Sequence, residues 1–420
     1  MSAFFRRTKS LVGLDIGSSA VKAVELRQTG SVYKVAAALA PGVRLTERLG
    51  ALRTRLAADR LDALLVTQPA NIFYLSMFKG SAGILLFMPD GTCLITDSRY
   101  ATVAQGLVAA GAGAAGLTFV QVESSYEETV CAVLKDSGVS RVGIETAHMT
   151  VARYEWLERG LAGSGVTLRG TTGLVESFRQ VKDAHELATM REAGRRISGV
   201  MREMRSGLRT GRREREVAAD IDWAIRGAGF DGPAFETIVA GGPNTALPHA
   251  RPGDRRLAPG DLVLLDFGGI YNGYCVDLTR VASLGTPDPA ALAWHAAISE
   301  AHAAALAAVG PGVLASAVDT AARAVLERRG LGAAFSHGTG HGLGIEVHEA
   351  PRVGKRRRAV PSSGSGDHAE DVRLEPGMVF TVEPGVYLPG HGGVRLEDDL
   401  VVTADGYELL THVSLDLLVV

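Results

Sequence analysis

The chain has 420 residues, too many for one ordinary hydrophobic core, so two or three domains are expected. Lys plus Arg number 44 against 46 for Asp plus Glu, and the net charge of -2 excludes the basic field of a nucleic-acid binder, which leaves a small molecule or peptide as the expected partner. Cys93, Cys131 and Cys275 are scattered without disulfide or zinc-knuckle spacing, and no apolar run approaches a membrane span, so reduced thiols, no membrane partner and a cytoplasmic location are expected.

In chain order, the run Leu11-Val12-Gly13-Leu14-Asp15-Ile16-Gly17-Ser18-Ser19, followed by Val21-Lys22-Ala23-Val24-Glu25-Leu26, reads as a strand, a tight glycine turn and a second strand. It resembles the first phosphate loop of the actin-like ATPases, most closely the pilus-assembly member. No second phosphate loop or adenosine pocket follows, so residues 1–30 are expected to be an appended hairpin without nucleotide chemistry. Residues 31–172 read as an α/β domain. A helix over 45–56 leads to a buried strand at 63–66, and segments 84–88 and 93–96 flank the turn Pro89-Asp90-Gly91 as a hairpin in a helix-covered sheet. Nothing there clusters His, Cys or paired carboxylates. Asp97, Arg99 and Tyr100 read as a polar strand end, with a substrate contact as the alternative.

The next domain, 173–420, opens with the capping-box pattern Asp183-Ala184-His185-Glu186 and a helix running towards Leu208. A second helix over 214–225 ends at Gly227 and Gly229, and strands follow at 237–240, 262–266 and 274–279. The pattern then repeats, with helices near 289–309 and 314–328 and strands at 379–383 and 394–402. Two helices and then strands, twice over, predict pseudo-equivalent halves with an active site between them.

The chemistry sits on these strands. Asn272-Gly273 favours a type I′ turn, which pairs Tyr271 with Tyr274 and sets Asp266 opposite Thr279. Asp277 then shares a face with Asp266 as a diagonal neighbour roughly 7–8 Å away at the backbone, and such a pair would repel unless a cation lay between. In His337-Gly338-Thr339-Gly340-His341-Gly342-Leu343-Gly344-Ile345-Glu346-Val347-His348-Glu349 the glycines forbid a stable helix and let the backbone approach a site, so one imidazole can complete it; spacing does not say which. Glu383 ends an apolar strand before Pro384-Gly385. Arg395 and Glu397 share a strand face, so the guanidinium can orient a ligand carboxylate, while Asp398 and Asp399 read as a solvated strand end. Four carboxylates and an imidazole form an oxygen-rich set that suits two divalent ions better than one structural zinc. Between Pro351 and Leu374, the run Lys355-Arg356-Arg357-Arg358 and the stretch Pro361-Ser362-Ser363-Gly364-Ser365-Gly366 predict a mobile loop with a solvated basic face.

Six ordered segments, Asn244-Thr245-Ala246-Leu247-Pro248-His249, Leu265-Asp266-Phe267-Gly268, Asp277-Leu278-Thr279-Arg280, His337-Gly338-Thr339-Gly340-His341-Gly342, Val382-Glu383-Pro384-Gly385 and Arg395-Leu396-Glu397-Asp398-Asp399, resemble the pita-bread metallopeptidases, closest to the Xaa-Pro aminopeptidase and prolidase branch. The resemblance runs from about residue 31 to the C-terminus. It implies an α/β N-terminal domain and an α+β pita-bread catalytic domain, with two divalent ions, manganese first and cobalt or zinc as alternatives. Asp266 would hold one ion, Asp277 and Glu397 would bridge both, and His341 with Glu383 would complete the other. Glu383 would also shuttle the proton. His249 and His348 match histidines that contact substrate and stabilise developing charge, and His337 matches a histidine near the site. The implied reaction is hydrolysis after an N-terminal residue that precedes proline, by a homodimer. The alternatives are an Xaa-Pro dipeptidase and a non-catalytic pita-bread interaction protein, the last of which should have lost several ligands.

Overall fold

The computed structural model describes residues 45–109, 116–356 and 371–420 in full, and 11–17, 20–29 and 32–35 as backbone strands. The chain forms two compact units, 1–178 and 179–420.

In the first unit, Leu11–Gly17 pairs antiparallel with Ala20–Thr29, which pairs with Val32–Val35. The expected turn at Ser18-Ser19, and the side chains of the phosphate-loop resemblance, lie outside the described residues. A separate six-stranded sheet has the order Leu117–Gln121, Gly91–Thr96, Ile84–Met88, Ala63–Val66, Arg141–Glu145, Thr167–Thr171. The hairpin at Pro89-Asp90 joins the antiparallel strands Ile84–Met88 and Gly91–Thr96, and helices Ala101–Ala109 and Val151–Gly160 each lie between two strands that pair in parallel, as crossovers require. Every residue of Ala63–Val66 is buried, which explains its unbroken apolar run. Asp97 is held locally by the Arg99 guanidinium at 2.8 Å and the Tyr126 hydroxyl at 2.9 Å, and the Tyr100 hydroxyl meets Ser81. The three cysteines are free and buried.

In the second unit, Asp183 and Glu186 form a reciprocal capping box on helix Ala184–Ser206, and helix Glu214–Gly227 follows. The strands Leu262–Tyr271 and Tyr274–Ser283 pair in the register read from the sequence, Tyr271 with Tyr274 and Asp266 with Thr279. Asn272 and Gly273 both have positive φ, 51° and 91°, as the turn demands. Strand alternation then sorts the side chains. Val263, Leu265 and Phe267 pack with Ile197, Met201 and Ile221 of the two helices, whereas Leu262 and Leu264 join the other core, with Ile298, Val318 and Phe380. Asp266 continues that second face, so it points towards the other half of the unit.

That half repeats the plan, with helices Pro289–Ala307 and Ala315–Arg328 before a sheet ordered Glu349–Val353, Gly340–Gly342, Val379–Val382, Asp398–Val402, Tyr407–Leu409. One expectation fails here. The segment 394–402 is not a single strand, because Gly392–Arg395 pairs with Gly385–Leu388 while Asp398–Val402 pairs with Val379–Val382. The link between them bonds elsewhere, Leu396 N to the Pro384 carbonyl and Glu397 N to the Thr279 carbonyl, so the chain changes sheets at Glu397. Of the polar connection, residues 357–370 lie outside the described residues, and with them the expected mobile loop.

Candidate metal centre

Asp277, His341 and Glu397 converge so that one ligand atom from each lies within 4.8 Å of the others. They arrive from three elements. Asp277 comes from the hairpin, His341 from the short strand Gly340–Gly342, and Glu397 from the link between sheets. Glycine is required around the histidine, since a Cβ at Gly340 would collide with the Thr381 carbonyl and one at Gly342 with the Ala350 carbonyl. Glu383 stands just beyond its strand, with Oε1 3.4 Å from His341 Nε2 and 3.4 Å from the Thr381 hydroxyl. Asp266 is ion-paired to Arg395, whose guanidinium also bonds the Tyr387 hydroxyl at 2.7 Å and the Pro248 carbonyl. The carboxylate that Arg395 orients is therefore Asp266; Glu397 instead accepts from the Thr279 hydroxyl at 2.6 Å.

Tautomers follow from the acceptors. His341 Nδ1 faces its neighbour's Gly342 carbonyl at 3.1 Å, so Nδ1 carries the proton and Nε2 presents a lone pair to Glu383. Burial, with the nearby His348, pushes His341 down to about 4, which keeps its imidazole neutral at neutral pH. His337 Nδ1 likewise donates to the Gly338 carbonyl at 2.7 Å, and its Nε2 accepts from the Tyr387 hydroxyl at 2.8 Å. His337 thus ends a chain running through Tyr387 and Arg395 to Asp266, and burial pushes it too down to about 4. His249 and His348 are exposed, and His249 lies close enough to depress the basicity of both His337 and His348. The His348 ring packs edge-on against His341, centroids 4.3 Å apart.

Asp398 and Asp399 are not a solvated strand end. Both are buried, on opposite faces of their strand, because the residues after Glu397 enter the middle of a sheet. Asp398 turns to Arg280 at 2.7 Å, the Thr411 hydroxyl at 2.7 Å and His302 at 3.3 Å. Asp399 turns to the site, where its Oδ2 accepts from Asp277 N at 2.9 Å. The register that sets Thr279 opposite Asp266 already put that hydroxyl on the site face, whereas Tyr387 left no signal in the sequence.

The site gathers more buried acid than its donors serve. Burial raises the Asp277, Glu397 and Asp399 carboxyls well above the usual carboxylate range; Asp266 adds to the rise at Asp277, Asp277 to that at Glu397, and Asp398 to that at Asp399. Glu383 is pushed up to about 8 by burial, against the pull of Arg395. Asp266 Oδ1, Asp277 Oδ1 and Asp399 Oδ1 are buried without a hydrogen-bond partner. Orphaned carboxylate oxygens beside a lone pair of a neutral imidazole fit a divalent metal. Such a site belongs to metal-dependent hydrolases.

Sequence and structure comparisons agree. Residues 188–404 match Metallopeptidase family M24 and residues 48–181 match the Creatinase/Prolidase N-terminal domain. The uncharacterized peptidase YqhT of Bacillus subtilis is 33% identical over 372 residues, which cover 89% of this chain and 99% of that protein. An Xaa-Pro dipeptidase from Bacillus anthracis superposes with a TM-score of 0.81 at 32% identity, covering 90% of this chain and 100% of the other. An X-Pro aminopeptidase from Thermotoga maritima gives 0.75 at 31% identity, covering 87% and 100%. The chain belongs to metallopeptidase family M24, as a metallo-exopeptidase with a creatinase-type N-terminal domain and a pita-bread catalytic domain. Residues 1–30 lie outside both matched regions, and no helix among the described residues is long and apolar enough to cross a membrane.

Proposed function

We propose that this chain hydrolyses the bond between an N-terminal residue and a following proline, as an Xaa-Pro aminopeptidase. The observation that carries the reading is the buried Asp277, His341 and Glu397 cluster, with Glu383 and Asp266 beside it, in a chain similar to enzymes described as Xaa-Pro peptidases. Asp266, Asp277, His341, Glu383 and Glu397 would hold two divalent ions, manganese by our reading. When bound, these supply a nucleophile from water at neutral pH and polarise the scissile carbonyl. Arg395 fixes the Asp266 carboxylate, and Thr279 fixes that of Glu397. Glu383, steadied by the Thr381 hydroxyl, passes a proton to the leaving imino nitrogen. His249 and His348, exposed at the site, bind the substrate and meet the negative charge that develops on its carbonyl oxygen.

The superposition with an Xaa-Pro dipeptidase supports a second reading, in which only free Xaa-Pro is cleaved. Turnover of Xaa-Pro against Xaa-Pro-Xaa peptides, with added manganese, separates the two: tripeptide cleavage is expected, and activity confined to the dipeptide would replace the first reading by the second. We further assign 31–172 and 173–420 as the N-terminal and catalytic domains, acting in a homodimer in the cytoplasm, and residues 1–30 as an appendage outside the chemistry. A chain beginning at Ser31 should keep its kcat/KM, and the full chain should not bind ATP.

A further inference from the structure

The segment carrying His348 is held by an ion cluster that the reaction as described does not use. The side chain of Glu349, the next residue, is only 7% exposed, and both its oxygens are taken: Oε2 by Arg179 at 2.5 Å and Oε1 by Lys182 at 2.7 Å. The two cations are themselves almost wholly buried, with side chains 2% and 1% exposed. Arg179 also reaches Glu346 at 2.8 Å, so one guanidinium ties both ends of the turn that leads to His348. On its other side the turn is tied to the metal-binding hairpin, where Cys275 N donates to the Gly344 carbonyl at 2.7 Å and Cys275 Sγ approaches the Ile345 carbonyl at 3.5 Å. The strap bearing the cations is anchored as well. Val181 bridges to Met378 and Lys182 N donates to the Gly377 carbonyl at 2.9 Å, at the start of the strand that ends before Glu383.

Burying two cations against Glu349 and the part-exposed Glu346 is a costly way to gain stability, since each buried ion loses several kcal/mol of hydration and apolar packing would often serve as well. What Arg179 Nη2 on one oxygen and Lys182 Nζ on the other do provide is a fixed carboxylate plane, and with it a fixed backbone at Glu349 and its neighbour. We propose that Arg179 and Lys182, acting through Glu349, are positioning residues that hold the His348 imidazole against His341 and so present it to the substrate's carbonyl oxygen. The inference rests on the proposed role of His348 in peptide hydrolysis.

The test is a double-mutant cycle. Lys182→Gln should keep its bound metal and a near-normal KM while kcat falls, by about tenfold if the strap acts like other groups that orient a functional side chain. Lys182→Arg should restore most of that loss. In a His348→Ala background, Lys182→Gln should cost nothing further, and hydrogen exchange should quicken at amides 344–349 and at Cys275, which donates to the Gly344 carbonyl, but not at 262–271. An equal loss of kcat in both backgrounds, or loss of metal from Lys182→Gln, would overturn the proposal. Should Lys182→Gln not fold, Glu346→Gln, whose side chain is 42% exposed, takes its place in the same cycle with a smaller expected loss. If the wild-type chain cleaves no Xaa-Pro peptide, the peptidase reading fails by itself, and the exchange rates at 344–349 still decide whether the strap fixes the turn.

Discussion

Glu145 in the N-terminal unit and Asp277 in the C-terminal unit are both buried acids on strands, and burial raises the carboxyl of each. Their surroundings differ. Both oxygens of Glu145 are met by donors: Thr67 N at 2.6 Å and Gln68 N at 2.9 Å on one, the Asn71 amide at 2.6 Å on the other. Asp277 has an orphaned Oδ1 and acids for neighbours. Asp398, one residue beyond Glu397, resembles Glu145, for burial opposes its charge but His302 and Arg280 outweigh that and hold its carboxyl below the usual range. Burial therefore does not single out a candidate functional acid; a shortage of donors does, because a proton or a bound cation must relieve it.

The comparison is tested most severely by deleting one acid of each kind. Asp277→Ala should lose bound metal and on the order of 10³-fold in kcat/KM, as expected when preorganised charge is removed from a site. An Asp277→Ala protein with full metal content and normal turnover would end the metal-site reading. Histidines beside the site should behave differently from the one within it. His249→Ala and His348→Ala are expected to keep metal and lose on the order of 10²-fold in kcat, whereas His341→Ala should lose metal, as elemental analysis would reveal. Equal metal loss in all three would erase that division of roles.

Glu145→Ala should leave kcat/KM nearly unchanged but remove the acceptor of the Thr67 and Gln68 backbone amides, at a cost of about 1–3 kcal/mol read from urea unfolding. A large catalytic defect at unchanged stability would contradict its structural assignment. The smallest effect is a pH dependence. Glu383, pushed up to about 8, and Asp277 and Glu397, also raised, bind protons more tightly folded than unfolded when no metal is present. Their contribution to stability is then fully present below the unfolded carboxylate pKa of about 4 and is lost as pH rises through their folded values. His337 and His341, held down to about 4, work the other way until unfolded imidazoles lose their protons near pH 6.5, so metal-free protein should show a Tm that falls by a few degrees between about pH 6.5 and pH 8, and manganese should abolish the fall. A metal-free Tm that rises over the same interval would show that the acids are compensated by some other means.

Local pattern was enough for the elements whose partners are near in sequence. The hairpin carrying Asp266 and Asp277 has its register set by two turn residues with positive φ, and the helix at Asp183 begins where its own side chains cap it. The N-terminal hairpin around Pro89-Asp90 is legible for the same reason. Motif order also singled out Asp277, His341 and Glu397, the residues that the fold brings together. Tertiary structure decided the rest. Whether Asp398 and Asp399 meet solvent, an arginine or other acids depends on Arg280 and Asp277, more than a hundred positions earlier in the chain. Arg395 turns to Asp266 and Tyr387, while Glu397 two residues on turns to Thr279, because the chain leaves one sheet for another between them. Side-chain alternation fixes which face a residue takes only while a strand lasts; what waits on that face is set by packing across the core, and no local spacing encodes it.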